Sequence, residues 1–263
     1  MIFLNFFLQM FFLVGLVAVV AFVIWGLNRA FYKMTSDKSK TICVVTGFIG
    51  TPVHELGHAF FCLVFGHKIQ AISLYKINHE DGVLGYVQHA YNKKNLYQKI
   101  GNFFVGFGPI IFGTFALVLL MLIFVPHLLF NFWGNINPTW NNPLAILRTH
   151  WNIFVTLFAL TNLGNFWWWV FLVFALSIAL HMSLSPADIK GCFTSFMAFA
   201  VLVFVLDFIL IIIGESVLWG FTTGCMALGM IMLCFMSISL LISVMLVAVT
   251  RIVKICTRPR RYT

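Results

Sequence analysis

The chain has 263 residues, of which 62% are hydrophobic and only 9% charged, and its mean hydropathy is +1.01. Soluble domains carry about a quarter charged residues, so this composition excludes an ordinary water-soluble fold and points to a protein resident in a lipid bilayer. The formal net charge of +9 does not call for nucleic acid: the basic residues sit in loops and the tail, where anionic headgroups and the positive-inside rule account for them.

A helical span needs about 20 apolar residues. Ile2 to Leu27 is the first such run. It is too long for the h-region of a signal peptide and has no basic segment before it, so a retained helix is expected. Asn28 to Lys40 is polar and basic and reads as a loop. Thr41 to Gly66 is the second span. His67 to Gly101 is the one long polar segment; within it 68–77 and 82–91 are short β-like runs around NHEDG, where Asp81-Gly82 suits a hairpin turn. Asn102 to Val125 is the third span, entered through the GFGP of Gly106 to Pro109. Pro126 to His150 is rich in Asn, Pro and Trp and reads as an interfacial loop. Trp151 to Leu184, Cys192 to Ile213 and Ser216 to Thr250 complete the count, and a basic tail closes the chain.

The expected fold class is an all-α polytopic membrane protein, with about six transmembrane helices and a small membrane-associated β-hairpin segment after the second span. Three parts are expected: residues 1–40, an N-terminal helix and basic loop; 41–191, the core with the chemical motifs; and 192–263, two C-terminal helices and the tail. Six spans put both termini on one side. The tail's five Arg and Lys place that side in the cytoplasm of a multi-pass cell-membrane protein. The polar segment 67–101 and the turn around Asp188 then fall on the same side. Asn28 to Lys40, with Arg29, Lys33, Lys38 and Lys40, is the one loop that parity puts outside against the rule.

The second span carries HELGH, His54 to His58. Positions i and i+4 share a helix face, so both imidazoles can reach one metal ion, with Glu55 beside them as general base for an attacking water. Imidazoles and a carboxylate at membrane depth are costly and mark function. A catalytic zinc takes three protein ligands and keeps a position open. Asp188, just after Pro186, is the leading third ligand; His181, seven residues earlier, is the alternative. The glycines and prolines near HELGH and in GFGP either loosen the backbone around a water-filled cavity or permit close helix packing.

Among the remaining polar residues, Asp207 in the middle of the fifth span is expected to pair with a neighbouring helix. His67, His79 and His89 read as solvated. The six cysteines form no CxxC pair and read as small buried hydrophobes.

This pattern resembles the site-2 protease family of intramembrane zinc metallopeptidases. HELGH is similar to that family's HExGH. Gly106 to Pro109 looks like the glycine-proline segment that follows its membrane-associated β element. SPADIKG, Ser185 to Gly191, is similar to its proline-containing aspartate-glycine motif, although Ile189 and Lys190 here intervene before Gly191. The resemblance implies Zn2+ held by His54, His58 and Asp188, Glu55 as the catalytic base, and Asn162 or Asn165 as the family's upstream asparagine. It implies a zinc metalloendopeptidase that hydrolyses peptide bonds of membrane-embedded or membrane-adjacent protein substrates. The rival expectations are a metal or proton transporter, favoured by Asp207, and a catalytically inactive relative that serves as a membrane interaction protein.

Overall fold

The computed structural model of the chain describes residues 1–77, 83–135 and 143–257. Among the described residues the architecture is helical, with one two-stranded sheet. α1 (Ile2–Met10) and α2 (Leu16–Thr35) run on through a π-helical turn, Phe11–Gly15, as one helix. After a 3-10 turn, Ser36–Lys38, come α3 (Ser39–Val64), β1 (Lys68–Ser73), β2 (Tyr86–Ala90) and α4 (Leu96–Phe124). Then follow α5 (Pro126–Asn135), α6 (Pro143–Leu157), α7 (Phe166–His181), α8 (Pro186–Ile213) and α9 (Glu215–Cys256).

Four helices among the described residues are long and apolar enough to cross a membrane: Ile2–Thr35, Leu96–Phe124, Pro186–Ile213 and Glu215–Cys256. The expected count of six is therefore not reproduced, for two local reasons. α3 has 26 residues, about 39 Å at 1.5 Å per residue, but its polar residues keep it out of the apolar class. The expected fourth span is broken. Asn162 Nδ2 donates to the Thr156 and Leu157 carbonyls at the end of α6, and Asn165 caps α7 by accepting from Trp167 N–H. Two shorter helices result, joined by a 3-10 turn, Leu160–Gly164.

Two expected loops are also helical. Asn28 to Thr35 continues α2: Asn28 is buried, donating to the Ala179 carbonyl and accepting from Ser243 Oγ, and Arg29 lies over the Trp25 ring. Much of the expected interfacial loop 126–150 forms α5 and α6, each opened by a proline, which suits the first helical position because it needs no N–H there.

The hairpin forms as alternation suggested. β1 and β2 pair antiparallel, Ile69 opposite His89 and Ser73 opposite Tyr86, with a bulge between Ile69 and Ala71. The expected Asp81-Gly82 turn and His79 lie outside the described residues, as does the tail beyond Thr257. The sheet rests on α3: Tyr75 Oη donates to the Val44 carbonyl, and a side chain at Gly85 would strike Thr51 and Glu55.

Burial follows the bundle. One apolar cluster joins α4, α7 and α9 through Leu117, Phe171, Ile178 and Phe235, and a second joins α2, α4 and α9 through Val17, Ile24, Ile110 and Met236. Asp207 is fully buried and accepts from Gln9 Nε2, which also donates to Thr222 Oγ1. The expected pairing across helices is what the fold provides.

Candidate metal centre

α3 places His54 and His58 one turn apart, and each ring is anchored through the same nitrogen. His54 Nδ1–H donates to the His181 carbonyl at 2.9 Å, and His58 Nδ1–H to the Val105 carbonyl at 2.7 Å. A carbonyl only accepts, so both Nδ1 atoms carry the proton and both Nε2 atoms present lone pairs. Those Nε2 atoms stand 3.2 Å apart. Two acceptors at that distance have no hydrogen between them to share.

Asp188 completes the group. Its Oδ1 is 3.3 Å from His58 Nε2 and its Oδ2 is 3.7 Å from His54 Nε2. Bonds of about 2.0–2.2 Å at tetrahedral angles put donor atoms about 3.3–3.6 Å apart; the two nitrogens, 3.2 Å apart, and the carboxylate, one oxygen facing each imidazole, lie close to that spacing. His54, His58 and Asp188 form a group able to hold a metal ion. His181, the alternative third ligand, turns its ring away: Nε2 meets Thr46 Oγ1 at 3.0 Å and Nδ1 meets Thr51 Oγ1 at 3.4 Å. Its contribution is the carbonyl that orients His54.

Local sequence explains why Asp188 arrives in position. Ser185 is the N-cap of α8, its Oγ accepting from Asp188 N–H, while Asp188 Oδ2 accepts from Ser185 N–H at 2.7 Å in a reciprocal capping box. The carboxylate is thus both a first-turn acid and a member of the cluster.

The glycines around the site serve close packing. A Cβ at Gly57 would lie 2.7 Å from the Gly108 carbonyl carbon, and one at Gly106 would lie 2.7 Å from the Asp188 carbonyl oxygen. Pro52 and Pro109 lie inside unbroken helices. GFGP therefore works as two contacts on alternate sides, Gly108 against α3 and Gly106 against α8. Asn102 ties the same junction, its Nδ2 donating to the Gly191 carbonyl and to Ser195 Oγ, both at 2.9 Å.

Glu55 is buried, and it shares with His54, His58 and Asp188 a cavity of about 380 Å³ that Val87, His89 and Asn102 also line. A second cavity, about 280 Å³, meets Glu55 from the side of Tyr32, Cys43 and His181. The HELGH acid thus borders two spaces, each large enough for water, and shares one of them with the whole cluster.

Two expectations need correction. Asn162 and Asn165 close and cap helix ends around the 3-10 turn, because both are needed where α6 and α7 part; the asparagine lining the site cavity is Asn102. His67 is buried and His89 half-buried, where both were expected to be solvated. His67 is 4% exposed and stacks on both His89 and Tyr91. Burial holds both imidazoles below the ordinary histidine range, His89 to about 4, with the His67 imidazole beside it adding to the effect. What sequence reading missed was set by tertiary contact: Asn102, the two backbone carbonyls and His89. Only the Ser185–Asp188 box was legible, as a serine three residues before an acid at a proline-led helix start.

The chain matches no family model, no curated protein and no solved structure.

Proposed function

We propose that this chain is an intramembrane zinc metallopeptidase of the site-2 protease kind, hydrolysing peptide bonds of membrane-embedded or membrane-adjacent proteins. The observation that carries the reading is the convergence of His54 Nε2, His58 Nε2 and an Asp188 carboxylate oxygen beside Glu55. A structural zinc takes four protein ligands, whereas a hydrolytic one takes three and leaves a position open. His54, His58 and Asp188 would hold Zn2+, which when bound supplies Lewis acidity for attack on a carbonyl.

The chain's own residues perform the rest. The His181 and Val105 carbonyls hold the two imidazoles in the neutral tautomer with Nε2 free. The Ser185 N–H holds Asp188 against rotation. Glu55 takes a proton from water in the shared cavity and returns it to the leaving amine. Peptide bonds of an intact helix are shielded, so the substrate must be extended. β2 supports that step: Tyr86, Val87 and His89 border the cavity, and of its two edges only one pairs with β1. A substrate strand adding to β2 would lie along the cleft. We also place the hairpin, the start of α8 and the basic tail on the cytoplasmic face, from the charge distribution.

Transport is supported less well. Asp207, the residue that would carry it, is bonded to Gln9 inside the bundle.

The test is Glu55→Gln in the full chain, reconstituted in liposomes with a reporter bearing a transmembrane segment. Zinc content should stay at the wild-type value while cleavage falls about 10²–10⁴-fold, the usual contribution of a general base. Wild-type protein that holds zinc but cuts no member of a reporter panel would make the inactive, partner-binding reading the better one. For the hairpin, Val87→Pro should abolish cleavage with zinc unchanged; unchanged cleavage rejects strand addition.

A further inference from the structure

One helical turn beyond His58, the same face of α3 carries Cys62, which is completely buried. α3 ends in a Schellman-type turn. His67 N–H donates to the Cys62 carbonyl at 2.8 Å and Gly66 N–H to the Leu63 carbonyl, with Gly66 at φ +66°. That turn folds His67 back over Cys62. β2 then brings His89 to the same point, because the hairpin register sets His89 opposite Ile69. His67 Nδ1 and His89 Nδ1 stand 3.1 Å apart, and the Cys62 sulfur lies within 4.8 Å of the imidazole donors.

The tautomer of His67 is fixed from outside. Its Nε2–H donates to the Gln98 carbonyl at 2.7 Å, which leaves Nδ1 as a lone pair aimed inward. This is the arrangement of metal-binding histidines, in which the ring nitrogen away from the metal donates to a carbonyl. Tyr91 stacks flat on His67, with centroids 4.9 Å apart, and fixes the ring plane. Gln98 Nε2 in turn donates to the Gly66 carbonyl, closing the surround.

We propose that Cys62, His67 and His89 form a second metal site, taking a thiophilic ion of the zinc class. One thiolate and two neutral imidazoles are a soft donor set that selects zinc over magnesium, calcium or manganese. The ion clamps the base of the β1–β2 hairpin to the end of α3 and to the start of α4. Because His89 also borders the cavity shared by Glu55 and Asp188, this clamp fixes one wall of that cleft. The site stands on its own donor atoms and does not depend on the peptidase reading.

Zinc equivalents per chain and the Co2+-substituted absorption spectrum test it on the detergent-purified full chain. Wild-type protein should hold two equivalents, and its cobalt form should show a sulfur-to-cobalt charge-transfer band. The double variant His54→Ala/His58→Ala should drop to one equivalent and keep that band. Cys62→Ser should lose the band and one equivalent. His89→Asn, a milder change at the rim of the fold, should also lose one equivalent, which keeps the proposal open to test if Cys62→Ser fails to fold. One equivalent in wild type, with no charge-transfer band in the double variant, overturns it. So does a Cys62→Ser or His89→Asn protein that folds and keeps the full zinc content. If instead wild type holds one equivalent and the double variant retains both it and the band, the second site stands and the first fails.

Discussion

Two donor clusters lie in sequence along one face of α3, and they are built by opposite means. His54, His58 and Asp188 come from long helices, α3 and α8, whose approach is set by glycine contacts with α4. Cys62, His67 and His89 come from the last turn of α3, a tight turn and a short strand. The first cluster directs both histidine Nε2 atoms inward and borders a cavity with an acid beside it. The second directs Nδ1 of His67 inward and is packed under Tyr91 with a fully buried cysteine. On the proposed readings the two differ in surroundings more than in donor count, since each offers three side chains: the first has an acid and a cavity beside it, whereas the second has sulfur and an aromatic lid. Helices fix donors by their mutual distance, and turns fix them by backbone conformation, so different substitutions should disable each cluster.

The strongest way to separate them is Asp188→Ala. Loss of an orienting partner alone typically costs 10–100-fold in metal affinity, so loss of the ligand itself should exceed about 100-fold at the first cluster. The second should be unaffected, as read by zinc titration against a competing chelator. Loss of both metals together would erase the distinction.

Gly57→Ala should act next. Its methyl would meet the Gly108 backbone at 2.7 Å, and overpacking of this kind costs about 1–3 kcal/mol. Thermal unfolding should move down by several degrees and cleavage should fall, because α3 and α4 separate at His58 and Val105. The Cys62 group, with its own turn, should keep its spectrum.

Gly66→Ala is the mirror experiment. At φ +66° an L-residue is strained by about 1–2 kcal/mol, while the nearest atom to an added Cβ, Gln98 Nε2, is a comfortable 3.7 Å away. The effect is therefore conformational. It should weaken metal retention at Cys62 and His67 and leave the affinity of the His54 group intact.

Ser185→Ala is the smallest. Loss of an N-cap costs about 1 kcal/mol, measured as a drop in thermal midpoint. A modest weakening of first-cluster zinc should accompany it, because the box that steadies Asp188 is half removed.

The legibility of these features in the sequence followed their range. HELGH, the alternating strands and the long apolar helices are local patterns, and each appears where its spacing put it. Asp188 was legible because one signal, a proline-led helix start with an acid, served two purposes at once. The span count was not reproduced where polar residues decided the outcome: those of HELGH keep α3 out of the apolar class, and Asn162 and Asn165 cut an apolar run in two; the loop expected from Asn28 became helix because partners on α7 and α9 bury that side chain. The second cluster was the least legible. Cys62, His67 and His89 carry no recognisable spacing, and they meet only because a Schellman turn and a strand register bring them together.

His54 is steadied by the carbonyl of His181, the last residue of α7, and Asp188 sits in the first turn of α8. Only 182–185 separates those helices. That connector is a spacer of fixed length holding the two jaws of one vice: inserting even a residue or two would rotate the carboxylate off target while pulling at the imidazole's anchor. At this joint a length change, with no substitution of any donor, would be enough to pull the cluster apart.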